Sequence, residues 1–290
     1  MSIIMNGKEL AQQLAEKQKT RVKLLIDKHQ HQPSLCVVTV GEDDASSVYV
    51  RQKKRACEEL GILFHHVVLP NTVDKLGLSK CLLRDKYVCS SDGVILQLPI
   101  PKHLDPVKAG EYIPRSQDVD GFGLVNMGTL QKGLPDAVEP CTPKGIFHML
   151  RAYNVPLDGA HAVIVGRSNI VGKPLAAMLV NANCTVTLCH SHTKNLPEMT
   201  RMADILVSAV GKAGFIRADM IKPDAAVVDV GINRKEDGTI CGDVDFDAVK
   251  DICGWISPVP GGVGKMTVAM LMENTITAKQ NRHNIRHKNC

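Results

Sequence analysis

Short apolar runs alternate with stretches of helical periodicity along most of the chain. Asn6 is placed to cap a helix that runs to about Lys28. Ser34–Val40 reads as a buried strand, Ala45–Leu60 as a helix stopped by Gly61, and Ile62–Leu69 as a second strand. Leu76–Arg84 predicts a helix and Gly93–Leu96 a third strand, which leaves through Gln97-Leu98-Pro99-Ile100-Pro101. Asp118–Leu130 is glycine-rich and polar, and is read as the approach to a domain boundary. Thr142-Pro143-Lys144 can start a helix, with Pro near its first turn. A second alternating series then predicts strands at His161–Val165, Thr185–Cys189, Ile205–Ala209, Ala226–Val230 and Gly254–Ile256, with a helix at Pro174–Ala182. A last helix is expected over Thr267–Lys279, followed by a frayed polar tail.

Strand and helix in alternation predict parallel sheets with both faces covered. The fold class is therefore α/β, as two domains flanking a cleft, the C-terminal one a Rossmann-type dinucleotide-binding domain. The expected boundaries are 1–140 plus 268–290 for the first and 141–267 for the second. Ligands of open parallel sheets collect beyond the carboxyl ends of the strands, so the residues after each strand carry the chemical argument.

Composition narrows this picture. With 290 residues and 44% hydrophobic residues, the chain can bury a substantial core. A net charge of +5 is too diffuse, and a 3% aromatic content too low, for a nucleic-acid surface. None of the ten cysteines forms a Cys-x-x-Cys pair, and several sit in apolar runs. They are read as buried free thiols in a reducing compartment, the cytoplasm, although a trimmed organellar precursor would look the same. No segment approaches the length needed to span a bilayer, and no metal site is expected.

The second series has the marks of a nucleotide groove. Val163-Ile164-Val165 is followed by Gly166-Arg167-Ser168-Asn169-Ile170-Val171-Gly172, a strand, a glycine-bearing loop and a helix start. Glycines there let a pyrophosphate approach the backbone at the helix N-terminus. The loop lacks the usual three-glycine spacing, so a plain strand–helix turn reads equally well. NAD sites tend to carry an acid about 20 residues further on. Here that stretch is Cys189-His190-Ser191-His192-Thr193-Lys194, without an acid, and Arg167 lies on the neighbouring loop. This favours the extra phosphate of NADP. Ala209-Val210-Gly211 and Gly231-Ile232-Asn233 break two further strands with glycine.

In the first series Tyr49 and Lys53, four residues apart, share one helix face with Ser46 a turn earlier. Such a pair can move protons if burial lowers the lysine pKa. Lys54 and Arg55 follow, so a basic surface helix explains the same residues.

Several motifs occur together and in order: Ser46-x-x-Tyr49-x-x-x-Lys53, Gln97-Leu98-Pro99, Asp118-Val119-Asp120-Gly121-Phe122, Pro140-Cys141-Thr142-Pro143, Gly166-Arg167-Ser168-x-x-Val171-Gly172-x-Pro174 and Pro258-Val259-Pro260-Gly261-Gly262-Val263-Gly264. Over nearly the whole chain, from about Gly7 to Thr275, this resembles the bifunctional methylenetetrahydrofolate dehydrogenase/methenyltetrahydrofolate cyclohydrolase family. The resemblance implies a homodimeric, NADP-dependent enzyme of one-carbon metabolism that acts on tetrahydrofolate derivatives and supplies purine biosynthesis. It implies Lys53 as catalytic lysine, Tyr49 as its partner, Gln97 as the lysine's contact and Asp120 as the carboxylate holding the pterin. Leu98 and the loop Pro260, Gly261, Gly262 and Val263 would line the folate. Gly166, Arg167, Ser168 and Ser191 would hold the adenosine side of NADP, and Ala209, Gly211, Ile232 and Thr267 the remainder.

Two positions depart from the usual family pattern: Lys265 stands where Pro is general, and Gln117 where Lys is general. Lys265 adds a cation at a helix start, where it can attract an anionic ligand. A dehydrogenase with little cyclohydrolase activity, an NAD-preferring variant and a silent dimeric binding protein are the alternatives. Leu98–Pro99 or Val259–Pro260 is expected to be cis.

Overall fold

The computed structural model describes residues 2–29, 31–41 and 44–288, without the side chains of 29, 44–46, 107 and 283–288. The chain runs β1 (Ile3–Ile4), α1 (Gly7–His29), β2 (Ser34–Val40), α2 (Asp44–Leu60), β3 (Leu63–Leu69), α3 (Lys75–Arg84), α4 (Lys86–Ser90), β4 (Gly93–Leu96), α5 (Pro106–Gly110), α6 (Leu124–Gln131) and α7 (Cys141–Ala152). It continues through β5 (His161–Val165), α8 (Gly172–Asn181), β6 (Thr185–Cys189), α9 (Leu196–Arg201), β7 (Ile205–Ser208), β8 (Ala226–Asp229), β9 (Asn233–Arg234), β10 (Ile240–Cys241), α10 (Phe246–Val249), β11 (Trp255–Ile256) and α11 (Val263–Lys288). The element bounds follow local chemistry. Asn6 Oδ1 accepts the Glu9 N–H at the start of α1. Gly61, at φ +76°, ends α2 and lets Ile62 N–H return to the Cys57 carbonyl.

Two compact units result: Met1–Gln12, Leu130–Pro135 and Thr142–Thr267 form one, and Gln13–Thr129, Asp136–Cys141 and Val268–Cys290 the other. We call them the nucleotide unit and the catalytic unit, after the motifs they carry.

The catalytic unit holds a parallel three-stranded sheet in the order β3-β2-β4. Central β2 is buried throughout, whereas edge strand β3 leaves Leu63 and Val68 exposed. Cys36, Val38, Val94 and Leu96 pack with Leu78, Leu82 and Val88 from α3 and α4. The nucleotide unit holds a parallel six-stranded sheet, β1-β11-β8-β7-β5-β6. β5 has β6 on one side and β7 on the other, so the strand order reverses there, and the loops after β5 and β7 flank a switch point. Its core joins Val163, Val165, Leu206, Val227 and Ile256 to Ala203, Ile216, Met220 and Val249.

The structure corrects several expectations. The glycine-rich segment after Asp118, read as the approach to a domain boundary, contains a helix, α6, that the sequence reading did not assign, and α4, α9 and the hairpin β9–β10 are additional. The polar tail is no frayed end: α11 continues to Lys288. Past the expected end, Lys279 and Arg282 hold the helix as far as residue 282: they face the buried Asp92 at 3.5 and 3.6 Å, and Arg282 also donates to the Ser91 carbonyl. Both proposed X-Pro bonds, Leu98–Pro99 and Val259–Pro260, are cis. The nine described cysteines are all free, but Cys89 is exposed and Cys81 and Cys241 only partly covered. Among the described residues no helix is long and apolar enough to cross a membrane.

Asp92 anchors the end of the catalytic unit, because its other oxygen accepts the Ser34 N–H and hydroxyl at 3.0 Å. Replacing it strands those donors and two cations. Asp92→Ala should destabilise by about 2–3 kcal/mol, the low side of the cost of breaking a buried ion pair because both cations keep some water. Urea denaturation reads this as a lower midpoint. An unchanged midpoint would show that α11 does not depend on Asp92.

Candidate active site

The catalytic unit gathers a lysine, an amide and a carboxylate. Lys53 lies on α2, and its ammonium donates to Gln97 Oε1 at 2.6 Å. Gln97 follows β4 directly, and its own Nε2 donates to the Leu98 carbonyl at 2.7 Å. That second bond fixes which end of the amide faces the lysine. Burial lowers the Lys53 pKa below 10.5, against the opposing pull of Asp120 and then of Cys141 and Cys57. Burial likewise raises Asp120, against Lys53 and a hydrogen bond with Cys141, while Asp118 adds to the rise. Each group is therefore pushed towards its neutral form, which is the condition for proton transfer near neutral pH. Tyr49 is one turn from Lys53 and 39% exposed, so its ring is accessible to a ligand. Ser46, grouped with them in the sequence, has its side chain outside the described residues.

Asp120 is displayed by a loop built around Asp118. The Asp118 carboxylate accepts the N–H groups of Gly121, Phe122 and Gly123 and the amide of Asn126. Gly121 is at φ +73°, and a Cβ there would sit 2.5 Å from the Val138 carbonyl oxygen. Asn274 on α11 ties the same loop down, donating to the carbonyls of Val119 and Glu139 at 2.9 Å each. Gln117, one of the two departures, is buried and donates to the Val88 and Ser91 carbonyls at 2.8 and 2.7 Å. The amide thus fills its place with no charge and does not touch the reacting group.

The nucleotide unit brings together the loops after β5, β6, β7 and β8. Gly166, at φ +126°, lies so close to the next loop that a Cβ would stand 2.4 Å from the Ala209 oxygen. A Cβ on Gly172 would meet the Gly166 oxygen at 1.9 Å. Both glycines are required for a tight turn into α8, the cradle a pyrophosphate needs. Ser168 Oγ accepts the Val171 N–H at 3.1 Å, which sets the entry to the helix. Arg167 and Ser191 are exposed at the ends of β5 and β6, and Arg167 is close enough to His190 to help burial lower that imidazole's pKa. Arginine, hydroxyl and backbone donors with no carboxylate among them fit a dinucleotide that carries an additional phosphate. Gly211, at φ +66°, has open space where a side chain would project, and Ile232 is half exposed beside Gly264. Thr267 is 3.0 Å from the Thr142 hydroxyl and also donates to the Val263 carbonyl, so it joins α7 to the start of α11.

The loop Pro260–Val263 belongs to the nucleotide unit. Its Gly261 carbonyl accepts the Lys8 N–H at 2.8 Å, and a Cβ on Gly7 would meet the Gly262 oxygen at 2.3 Å. Lys265 is exposed on the first turn of α11. Sequence reasoning gave no role to Asp118, although it stood in the quoted motif, nor to Asn274 or Asp243. The proximity of Asp118 to three following N–H groups was the one local signal available.

Comparison with known proteins sharpens this reading. The chain matches the family model "Tetrahydrofolate dehydrogenase/cyclohydrolase, catalytic domain" over residues 5–120. It matches "Tetrahydrofolate dehydrogenase/cyclohydrolase, NAD(P)-binding domain" over residues 140–283. It is 48% identical over 282 residues to the bifunctional protein FolD of Burkholderia ambifaria, covering 96% of this chain and 97% of that one. The crystal structure of FolD methylenetetrahydrofolate dehydrogenase/cyclohydrolase from Campylobacter jejuni is 43% identical, covers 97% of this chain and 100% of its own, and superposes with a TM-score of 0.93. The Trypanosoma brucei FolD structure, solved with NADP cofactor and inhibitor, is 33% identical, covers 97% and 98%, and has a TM-score of 0.91. With both parts of the chain matched by their respective models, the protein belongs to the tetrahydrofolate dehydrogenase/cyclohydrolase family.

Proposed function

We infer that the chain oxidises 5,10-methylenetetrahydrofolate to 5,10-methenyltetrahydrofolate with NADP⁺ and hydrolyses that product to 10-formyltetrahydrofolate. The observation that carries this is the grouping of Lys53, Gln97 and Asp120, with the first held by the second and both ionisable groups driven towards neutrality. NADP⁺, when bound, supplies the hydride acceptor. The protein's part in the first reaction is orientation, because the pterin nitrogens themselves stabilise the methenyl cation. Asp120 accepts hydrogen bonds from the pterin ring and fixes which face it presents, while Leu98 lines the folate.

In the second reaction water adds to the methenyl carbon, the bond from that carbon to N5 breaks, and one proton is released. Neutral Lys53 takes the proton from the attacking water and returns it to the departing nitrogen. Gln97 holds the amine in place through its oxygen, since its NH₂ is committed to the Leu98 carbonyl. Gly166, Arg167, Ser168 and Ser191 hold the adenosine half of NADP. Ala209, Gly211, Ile232 and Thr267 border the other half. Lys265 adds charge on the α11 side, where an anionic ligand would feel it.

The protein acts as a homodimer in the cytoplasm. In support, β3 is an edge strand whose free backbone groups and exposed Leu63 and Val68 suit pairing with a second copy about a two-fold axis. Free cysteines are compatible with a reducing compartment. The functional domains are taken as 1–140 plus 268–290 for folate chemistry and 141–267 for NADP; they differ from the compact units at residues 1–12 and 130–135, which cluster with the nucleotide unit, and at 141, which clusters with the catalytic unit.

Lys53→Met should abolish cyclohydrolase activity and leave part of the dehydrogenase activity, since hydride transfer needs no proton from the amine. Following NADPH and methenyl absorbance from methylenetetrahydrofolate measures both, and undiminished hydrolysis by the variant would remove Lys53 from the reaction. The hydrolysis rate of the native enzyme should rise with pH and level off below 10.5, as the active, unprotonated form of Lys53 becomes complete at its lowered pKa. A dehydrogenase profile sharing that limb would place the titration elsewhere. Arg167→Ala should raise the NADP⁺ KM roughly tenfold, the worth of one charge-assisted hydrogen bond, with little change for NAD⁺. Equal changes for both would mean that Arg167 does not meet the extra phosphate.

A further inference from the structure

Two buried aspartates of the nucleotide unit have no place in the chemistry above. Asp243 is fully buried and forms no salt bridge among the described residues, yet its carboxylate is richly satisfied. One oxygen accepts the Lys212 N–H at 2.8 Å and the Asn233 amide at 3.0 Å. The other accepts the Val210 N–H at 2.7 Å, the Gly211 N–H at 3.2 Å and the Ser208 hydroxyl at 3.2 Å. Three successive backbone N–H groups converging on one anion form a nest of the kind that elsewhere captures a free anion. Here the anion is the protein's own. Asp229, at the end of β8, holds Asp243 in turn, accepting the N–H groups of Asp243, Val244 and Gly231 at 2.8–2.9 Å.

The packing around these carboxylates admits no side chain. A Cβ on Gly231 would stand 2.1 Å from an Asp243 carboxylate oxygen, and one on Gly242 would stand 1.8 Å from an Asp229 oxygen. The loops after β7 and β8 are thereby clamped to each other through Asp243. The loop after β7 also presses its Ala209 carbonyl against Gly166. Asp243 therefore stands at the centre of a set that includes Ala209, Gly211 and Ile232.

We propose that Asp243 is a positioning residue for NADP: by binding the backbone of 210–212 and the side chain of Asn233, it fixes the loops that border the nicotinamide half of the cofactor before the cofactor arrives. The proposal rests on assigning that half to the ends of β7 and β8. A loop ordered by an internal anion binds without an ordering cost. The same carboxylate keeps the nest from taking a phosphate of the cofactor, so the phosphates are left to the loop after β5.

The test is Asp243→Asn, which puts an NH₂ group against N–H donors and cannot satisfy the nest. Steady-state kinetics would be measured for NADP⁺ reduction and, separately, for hydrolysis of added methenyltetrahydrofolate, whose proton-transferring residues lie in the other unit. The NADP⁺ KM should rise roughly tenfold or more, as for loss of a hydrogen bond to a charged group, and dehydrogenase kcat should fall, while hydrolysis stays within about twofold of native. Ser208→Ala and Asn233→Ala, which each remove one hydrogen bond and keep the charge, should raise the same KM by smaller factors of about 2–5. They carry the test if Asp243→Asn fails to fold. Unchanged NADP⁺ kinetics in all three variants, or equal losses in both reactions, would overturn the proposal. A native enzyme unable to reduce NADP⁺ would instead overturn the function assigned above.

Discussion

Loops at the carboxyl ends of parallel strands have N–H groups that no ladder can satisfy, and here aspartate side chains satisfy them. Asp118 gathers the N–H groups of 121–123 and so presents Asp120. Asp243 gathers those of 210–212, and Asp229 those of 231, 243 and 244. Among the described residues none of these carboxylates forms a salt bridge, so backbone N–H dipoles, helped by Asn126 at Asp118 and by Ser208 and Asn233 at Asp243, hold their charge. The arrangement is costly for an isolated group: burial pushes the Asp229 pKa up to about 6 even with three N–H donors, and Asp243 adds to that rise. What it secures is a set of irregular loops with one conformation each, and reacting groups need that fixity.

The strands were the most legible part of the sequence. Apolar runs with β-branched residues match β2, β4, β5 and β6 to the residue; β2, β4 and β5 are buried along nearly their whole length and leave a simple pattern, while edge strand β6 shows through its alternating Thr-Val-Thr-Leu. α6 was missed because Gly128 inside it lowers helix propensity and Gly121 and Gly123 just before it read as irregular chain, which the bond from Asn126 to Asp118 offsets from outside the pattern. The end of α11 was missed for a similar reason. A polar run predicts fraying until one knows that Asp92, far away in sequence, is buried opposite it.

The candidate site divides the same way. Lys53 and Tyr49 were visible as a helical pair, and the motif order gave Gln97 and Asp120. Residues that support them act over long separations: Asn274 reaches Val119 across 155 positions, and Asp243 reaches Val210 across 33. Local spacing holds no trace of such bonds. The glycines did carry one: Gly231 and Gly242 flank their aspartates because no other residue leaves space for the carboxylates.

The way the chain is threaded through its two units has a consequence for biosynthesis. The catalytic unit draws on residues 13–129 and 136–141, and closes only with residues from 268 onward. Asn274, Lys279 and Arg282 supply bonds on which the Asp120 loop and Asp92 depend. On the ribosome, the segment bearing Lys53 therefore emerges early and waits for nearly the whole chain to be made. The nucleotide unit, by contrast, has all its residues once Thr267 has left the exit tunnel. The reversed order of maturation follows from connectivity alone: the half that takes most of the early residues, 13–129, is the half completed last.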